Sequence, residues 1–214
     1  MTTAPDLRAP APGRVLRFNA TERWMHWAFS VPFLALLITG VALGLPQTEV
    51  LLTHRDLIRA VHLAAAVALV GLPAAVWLAG NRRSLRRDAR EVDRWDRLDW
   101  QWLRRAPWPF RRSALPPQGR FNAGQKLNSI LVTAAAVGLL VTGVFMWKAE
   151  AFPVWLGDVS TQAHDLLTIA VIPLVIGHII MAALNPRTNQ ALGSVFHGYV
   201  DAGWARAHHG RWVP

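Results

Sequence analysis

Four stretches of about twenty residues are nearly free of charge and dominated by aliphatic side chains: Trp24 to Leu45, Ala60 to Ala79, Leu127 to Trp147 and Gln162 to Leu184. As helices rising 1.5 Å per residue, each can cross about 30 Å of hydrocarbon. Lipid offers the backbone no hydrogen-bond partners, so the expected fold is an all-α integral membrane protein, a bundle of four transmembrane helices. A chain of 214 residues has no room for a separate catalytic domain beside such a bundle. The net charge of +10 would suit a nucleic-acid binder, but a basic soluble domain does not carry four such stretches, so nucleic acid is not an expected partner. The chain has no cysteine. That excludes disulfides, thiolate zinc sites, cysteine-ligated iron-sulfur clusters and haem attached through cysteine. Residues 1–23 contain Pro5, Pro10 and Pro12 and no apolar core of their own. They are not expected to be a cleavable signal, and the first span is expected to stay in the membrane.

Arginine placement sets the expected orientation. Arg8, Arg14, Arg17 and Arg23 precede the first span, and a long series from Arg82 to Arg120 separates the second and third. The other two loops hold only Arg55, Arg59 and Lys148, while the tail adds Arg187, Arg206 and Arg211. Positive charge accumulates on the cytoplasmic side, so both termini and the central loop 81–120 are expected there. The predicted organisation is an N-terminal segment 1–23, a membrane domain 24–184 containing that loop, and an amphipathic tail 185–214. The loop interleaves arginine with Trp95, Trp100, Trp102 and Trp108. This suggests interfacial helices, with arginine at lipid phosphate and tryptophan at headgroup depth, or else a cover over a partner or a site mouth. The tail, with Trp204 and Trp212, reads the same way.

The two halves repeat. An offset of 103 lays Phe18-Asn19-Ala20 on Phe121-Asn122-Ala123 and Leu36-Leu37-Ile38-Thr39-Gly40-Val41 on Leu139-Leu140-Val141-Thr142-Gly143-Val144. Two helical hairpins of equal orientation, a parallel repeat, are the expected architecture.

Ionisable groups inside a membrane are expensive and mark function. Those present are His26, His62, His164, Asp165 and His178. His164 and His178 are 14 residues apart, about 21 Å along a helix and within about 40° of one face. From the direction of each span, His62 and His164 share the outer level and His26 and His178 the inner level. Two imidazoles per level suit the axial positions of a six-coordinate haem iron better than zinc, which takes three or four protein ligands. Two non-covalent b haems follow, one per level. Gly40 and Gly143 are expected to make room for the outer macrocycle, with close helix packing as the alternative. Pro32, Pro73 and Pro173 could bend the spans around bulky cofactors. His54, His197, His208 and His209 share depth with no unpaired partner and are not expected to be ligands.

Arg23-Trp24-Met25-His26-Trp27, the run Phe121 to Asn128, the spacing of His164 and His178, and the tail Trp204 to Trp212 together resemble the gamma subunit of respiratory formate dehydrogenase, a membrane-anchor cytochrome b among the related prokaryotic di-haem cytochromes b. The resemblance runs from about Arg17 to Trp212. It implies location in the bacterial inner membrane and electrons received at the outer haem from an iron-sulfur beta subunit. A molybdenum or tungsten alpha subunit outside the membrane would feed that partner, and a higher oligomer of the complex is compatible with it. It also implies a quinone, menaquinone or ubiquinone, reduced near the cytoplasmic face beside Asn122, Gly124, Gln125 and His178. Arg23, Arg59, Arg120 and Lys126 become candidate partners of haem propionates, against a plain interfacial role. The formate site itself would lie in another subunit.

Other readings stay open. Related anchors serve thiosulfate reductases or hydrogenases, and some small cytochromes b act alone. The histidines could instead serve a transporter or proton channel, although spans one to three lack Asp, Glu, Lys and Arg, and relays string several titratable groups together.

Overall fold

The computed structural model describes residues 13–44, 53–106 and 115–213. Leu45, Trp108 and the N-terminal prolines singled out above fall outside them. Four long helices dominate: α1 (Ala20–Gly44), α2 (Arg55–Ala79), α5 (Ala123–Trp147) and α6 (Val154–Ile179), the last prolonged by a π-helical turn, Ile180–Leu184. All four are long and apolar enough to cross a membrane, with mean hydropathy 1.9 to 2.4. α1, α2 and α5 begin four or five residues before their apolar stretches, because their first turns carry polar residues, and α6 begins eight before its own. At α5, the Asn122 side chain accepts from Gln125 N at 2.9 Å while Gln125 Oε1 accepts from Asn122 N at 3.0 Å. The same reciprocal cap stands 103 residues earlier, with Asn19 and Glu22 at 3.1 and 2.9 Å. Free helix-start N–H groups are satisfied in both places.

α1 packs chiefly against α2, and α5 against α6. The shared core is small: Phe33, Leu69, Ala135, Ala136 and Val171, drawn from all four helices. Large apolar side chains such as Val67, Val137 and Ile169 are instead exposed, as a helix surrounded by hydrocarbon requires.

The central segment forms α3 (Arg82–Asp93) and α4 (Arg97–Arg105), which pack against the start of α5. Two of its tryptophans meet protein instead of standing free as an interfacial segment would hold them. Trp102 lies over Gly124, and Trp95 stacks 5.7 Å from the Lys126 ammonium. The tail likewise folds onto the protein. Strand β2 (Tyr199–Asp201) pairs antiparallel with β1 (Arg14–Leu16), and Val200, Trp204 and Ala205 form a second core with Val15 and Trp212. Between α6 and β2 lies the short α7 (Leu192–Phe196), and α8 (Ala202–His208) follows β2. Gly198 joins α7 to β2 at φ +95°, where a Cβ would lie 2.5 Å from the Phe18 carbonyl oxygen. Only glycine fits that left-handed turn.

Candidate functional site

The four histidines of the spans meet in two pairs. The rings of His62 and His164 have their centres 6.5 Å apart, and those of His26 and His178 6.4 Å apart. The apolar core separates the pairs: Val171 lies seven residues from both His164 and His178, Leu69 seven from His62, and Phe33 seven from His26. Seven helical residues rise about 10 Å. Two polar sites are therefore held apart by a hydrocarbon septum.

The pair spacing discriminates between metals. An imidazole nitrogen bound about 2.0 Å from a metal places two rings on opposite sides of that metal about 6.3 Å apart, centre to centre, whereas a tetrahedral angle brings them to about 5.1 Å. Both observed separations match the opposed arrangement. Among the described residues, no group of three or more His, Cys, Asp or Glu gathers where it could hold a metal ion, so the ligands available at each level are the two imidazoles.

Two threonines that the sequence displayed within the repeat but did not identify as functional complete the pair of His62 and His164. Thr39 Oγ1 lies 2.8 Å from His62 Nδ1, and Thr142 Oγ1 lies 2.9 Å from His164 Nδ1. Each hydroxyl also bonds a carbonyl one turn back, Ala35 at 2.7 Å and Gly138 at 2.8 Å. A hydroxyl has one proton to give. With that proton on the carbonyl, the oxygen accepts from Nδ1–H, and Nε2 of each ring keeps its lone pair for a metal. The neighbouring glycines permit this approach: a Cβ on Gly40 or Gly143 would already touch Cε1 of His62 or His164, at 3.4 and 3.5 Å. The signal was present in the duplicated Thr-Gly pairs, 22 or 23 residues from their histidines.

Among the described residues, the remaining candidates form no hydrogen bond with the four imidazoles. Asn122 and Gln125 spend their side-chain oxygens on the α5 cap, and Gln125 Oε1 also accepts from Arg17 Nη2 at 3.2 Å. Gly124 is roofed by Trp102, whose Cη2 would stand 2.9 Å from an added Cβ. The Lys126 ammonium is committed to Asp99 at 2.9 Å and the Arg94 carbonyl at 2.8 Å. Arg120 is buried among Glu22, Asp88 and Glu91; burial holds its guanidinium below its usual pKa despite Glu22. Arg23 donates to the Phe18 carbonyl, and Arg59 is exposed one turn before His62. Sequence reasoning also passed over Gln118, fully buried, whose Oε1 accepts from Ala123 N at 2.9 Å.

A model of the prokaryotic cytochrome b561 family matches residues 17–198. The chain belongs to this family. Membership implies haem b, and with four membrane-length helices it makes the chain a cytochrome b membrane protein. The paired imidazoles, with Nε2 of His62 and His164 left free by the threonine bonds to Nδ1, fit that group. This cytochrome b561-family chain is similar to the formate dehydrogenase cytochrome b556 subunit of Haemophilus influenzae, 26% identical over 93% of this chain and 82% of the relative. It is similar to the formate dehydrogenase cytochrome b556(fdo) subunit of Escherichia coli at 24%, over 92% and 91%. The nitrate-inducible cytochrome b556(Fdn) subunit of the same organism is 32% identical over 44% of this chain and 43% of its own length.

Proposed function

We propose that the chain is the di-haem membrane-anchor subunit of a respiratory formate dehydrogenase, taking electrons from an iron-sulfur partner outside the inner membrane and passing them to a quinone near the cytoplasmic face. The observation that carries this reading is the presence of two histidine pairs, each at the separation of opposed ligands, at two levels along α6. Its assembly with catalytic and iron-sulfur subunits rests on the names of its relatives. His62 and His164 would hold the outer haem, and His26 and His178 the inner. Bound there, haem b supplies one-electron redox chemistry.

The chain's own residues do the rest. Thr39 and Thr142 orient the outer imidazoles and keep Nε2 unprotonated. The septum around Val171 excludes water between the levels. Asn122 and Gln125 each retain an NH2 that bonds nothing among the described residues, and a quinone carbonyl accepts from such donors. Arginine-rich segments at one end of the bundle support a cytoplasmic position for both termini. Charge moved inward with protons consumed inside stores about 2.3 kcal/mol per charge per 100 mV.

The test is a reduced-minus-oxidised spectrum with haem quantitation on the purified chain, beside His62→Ala and His178→Ala. Two b haems per chain, with each variant losing a different one, support the reading. No haem, or variants that retain both, would sink it. Tagged chain isolated from membranes should bring down an iron-sulfur subunit and a molybdenum or tungsten enzyme that reduces quinone with formate. A thiosulfate- or hydrogen-dependent activity in its place would overturn the formate assignment alone.

A further inference from the structure

Helix α3 sorts its charges by direction. Asp88 and Glu91 turn toward Arg120, and Arg87 joins them by bonding Glu22 at 2.9 Å. On the opposite side, Arg82, Arg83, Arg86 and Arg90 are exposed. At 100° per residue they fall within an arc of about 100°. Exposed Asp93 shares the far end of that arc, leaving four cations against one anion. Arg83, Arg86 and Arg90 form no ion pair among the described residues.

The arc lies at a defined level. Arg82 reaches back to cap the end of α2, donating to the Trp77 and Leu78 carbonyls at 3.1 and 3.2 Å. The Arg86 guanidinium lies 5.6 Å over the Trp77 ring. Leu78 beside it is 67% exposed. The cations thus begin where exposed apolar surface ends, at the depth where bilayers carry phosphate. Within the central segment, this arc is the part joined directly to the end of a membrane-length helix, through Arg82 and Arg86.

We propose that the arc of Arg83, Arg86 and Arg90 binds the phosphates of anionic phospholipids in the adjoining leaflet. Lipid phosphate complements the arc in charge and in level. Arginine meets phosphate oxygens with paired N–H donors, and bound lipid would press α3, with the Arg120 cluster on its inner side, against the bundle. The inference stands independently of the electron-transfer reading.

The full chain, reconstituted in phosphatidylcholine vesicles, is probed with spin-labelled phosphatidylglycerol and phosphatidylcholine, and the immobilised fraction of each is compared. Wild type should prefer phosphatidylglycerol, and the preference should fall up to about fivefold for each arginine neutralised in Arg83→Gln, Arg86→Gln and Arg90→Gln. Single variants keep the test intact where the triple variant fails to fold. Arg104→Gln with Arg105→Gln, exposed on α4, should leave the preference unchanged. In wild type it should weaken as salt shortens the Debye length from about 10 Å to about 3 Å. No preference in wild type, as when the arc docks an acidic protein, overturns the proposal. So does a preference that survives all three substitutions or is lost equally in the α4 variant.

Discussion

Arg17 and Arg120, 103 positions apart, each donate a hydrogen bond to the other's backbone carbonyl, at 2.9 and 3.1 Å. Around this reciprocal pair, Phe18 meets Phe121 at 5.9 Å between ring centres. Arg17 also reaches Gln125 Oε1, as Arg120 reaches Glu22 Oε1 at 3.4 Å. The residues equivalent across the internal repeat therefore face each other about a local two-fold relationship. The chemistry is unequal. Arg120 has carboxylates; Arg17 has neutral oxygens, a buried Nε without a hydrogen-bond partner, and a pKa drawn down to about 10 by burial and then by Arg120.

That inequality predicts two different costs. Arg120→Ala strips a cation from Glu22, whose side chain is 2% exposed, and should cost about 3 kcal/mol. Arg17→Ala removes a buried cation with no counter-charge and should cost about 1 kcal/mol. Thermal unfolding in one detergent ranks them, and the reverse order would contradict this account.

Thr39→Val and Thr142→Val keep shape but remove the oxygen that accepts from Nδ1–H. Haem retention at the level of His62 and His164 should weaken by about 10- to 100-fold, measured as haem per chain during dialysis, while Thr→Ser at either position retains it. Equal loss from both levels would show that the threonines act on general packing.

Gly124→Ala forces a methyl into Trp102 and should destabilise by about 1–3 kcal/mol. Adding Trp102→Leu should relieve the clash and recover part of the melting temperature. If the double variant is as unstable as the sum of both changes, Trp102 is not what Gly124 accommodates.

The tail should respond to acid. His209 is buried with Nδ1 2.6 Å from the Gly119 carbonyl oxygen, and burial, then nearby Arg17, pushes its pKa down to about 3. The folded state binds fewer protons than the unfolded one between that value and about 6.5. Its contribution is therefore intact above about pH 6.5 and erodes as pH falls toward 3, by about 2 kcal/mol at pH 5. Fluorescence of Trp204 and Trp212, or proteolysis of the tail, should report release on acidification. His209→Gln should remove that pH dependence, and a tail equally stable at pH 7 and pH 5 would count against it.

What the sequence displayed follows from distance along the chain. Helical spacing places His164 and His178 on one face, and span direction assigns levels to His26 and His62, so the two pairs could be written down before any coordinates. Thr39 and Thr142 were visible in the repeat, but a threonine in an apolar helix ordinarily bonds its own backbone, and both do that as well. Arg120 and Lys126 looked like open cations because no acid lies near them in sequence; Glu22, Asp88 and Asp99 arrive from 98, 32 and 27 residues away. The Arg/Trp alternation of the central segment fits a lipid surface, and only packing separates Trp102, over Gly124, from Arg86, over Trp77.

The Glu22 cluster also sets a timetable. Its residues leave the ribosome in order, Arg87 65 and Arg120 98 residues after Glu22. At about 5–20 residues per second, Arg120 emerges about 5–20 s after the carboxylate it encloses. The first hairpin must wait with the end that carries Glu22 incomplete, held provisionally by Arg87, until the second half begins to emerge. Premature chain termination before Arg120 would thus leave a species that has His62 in place but cannot close, a natural substrate for membrane quality control.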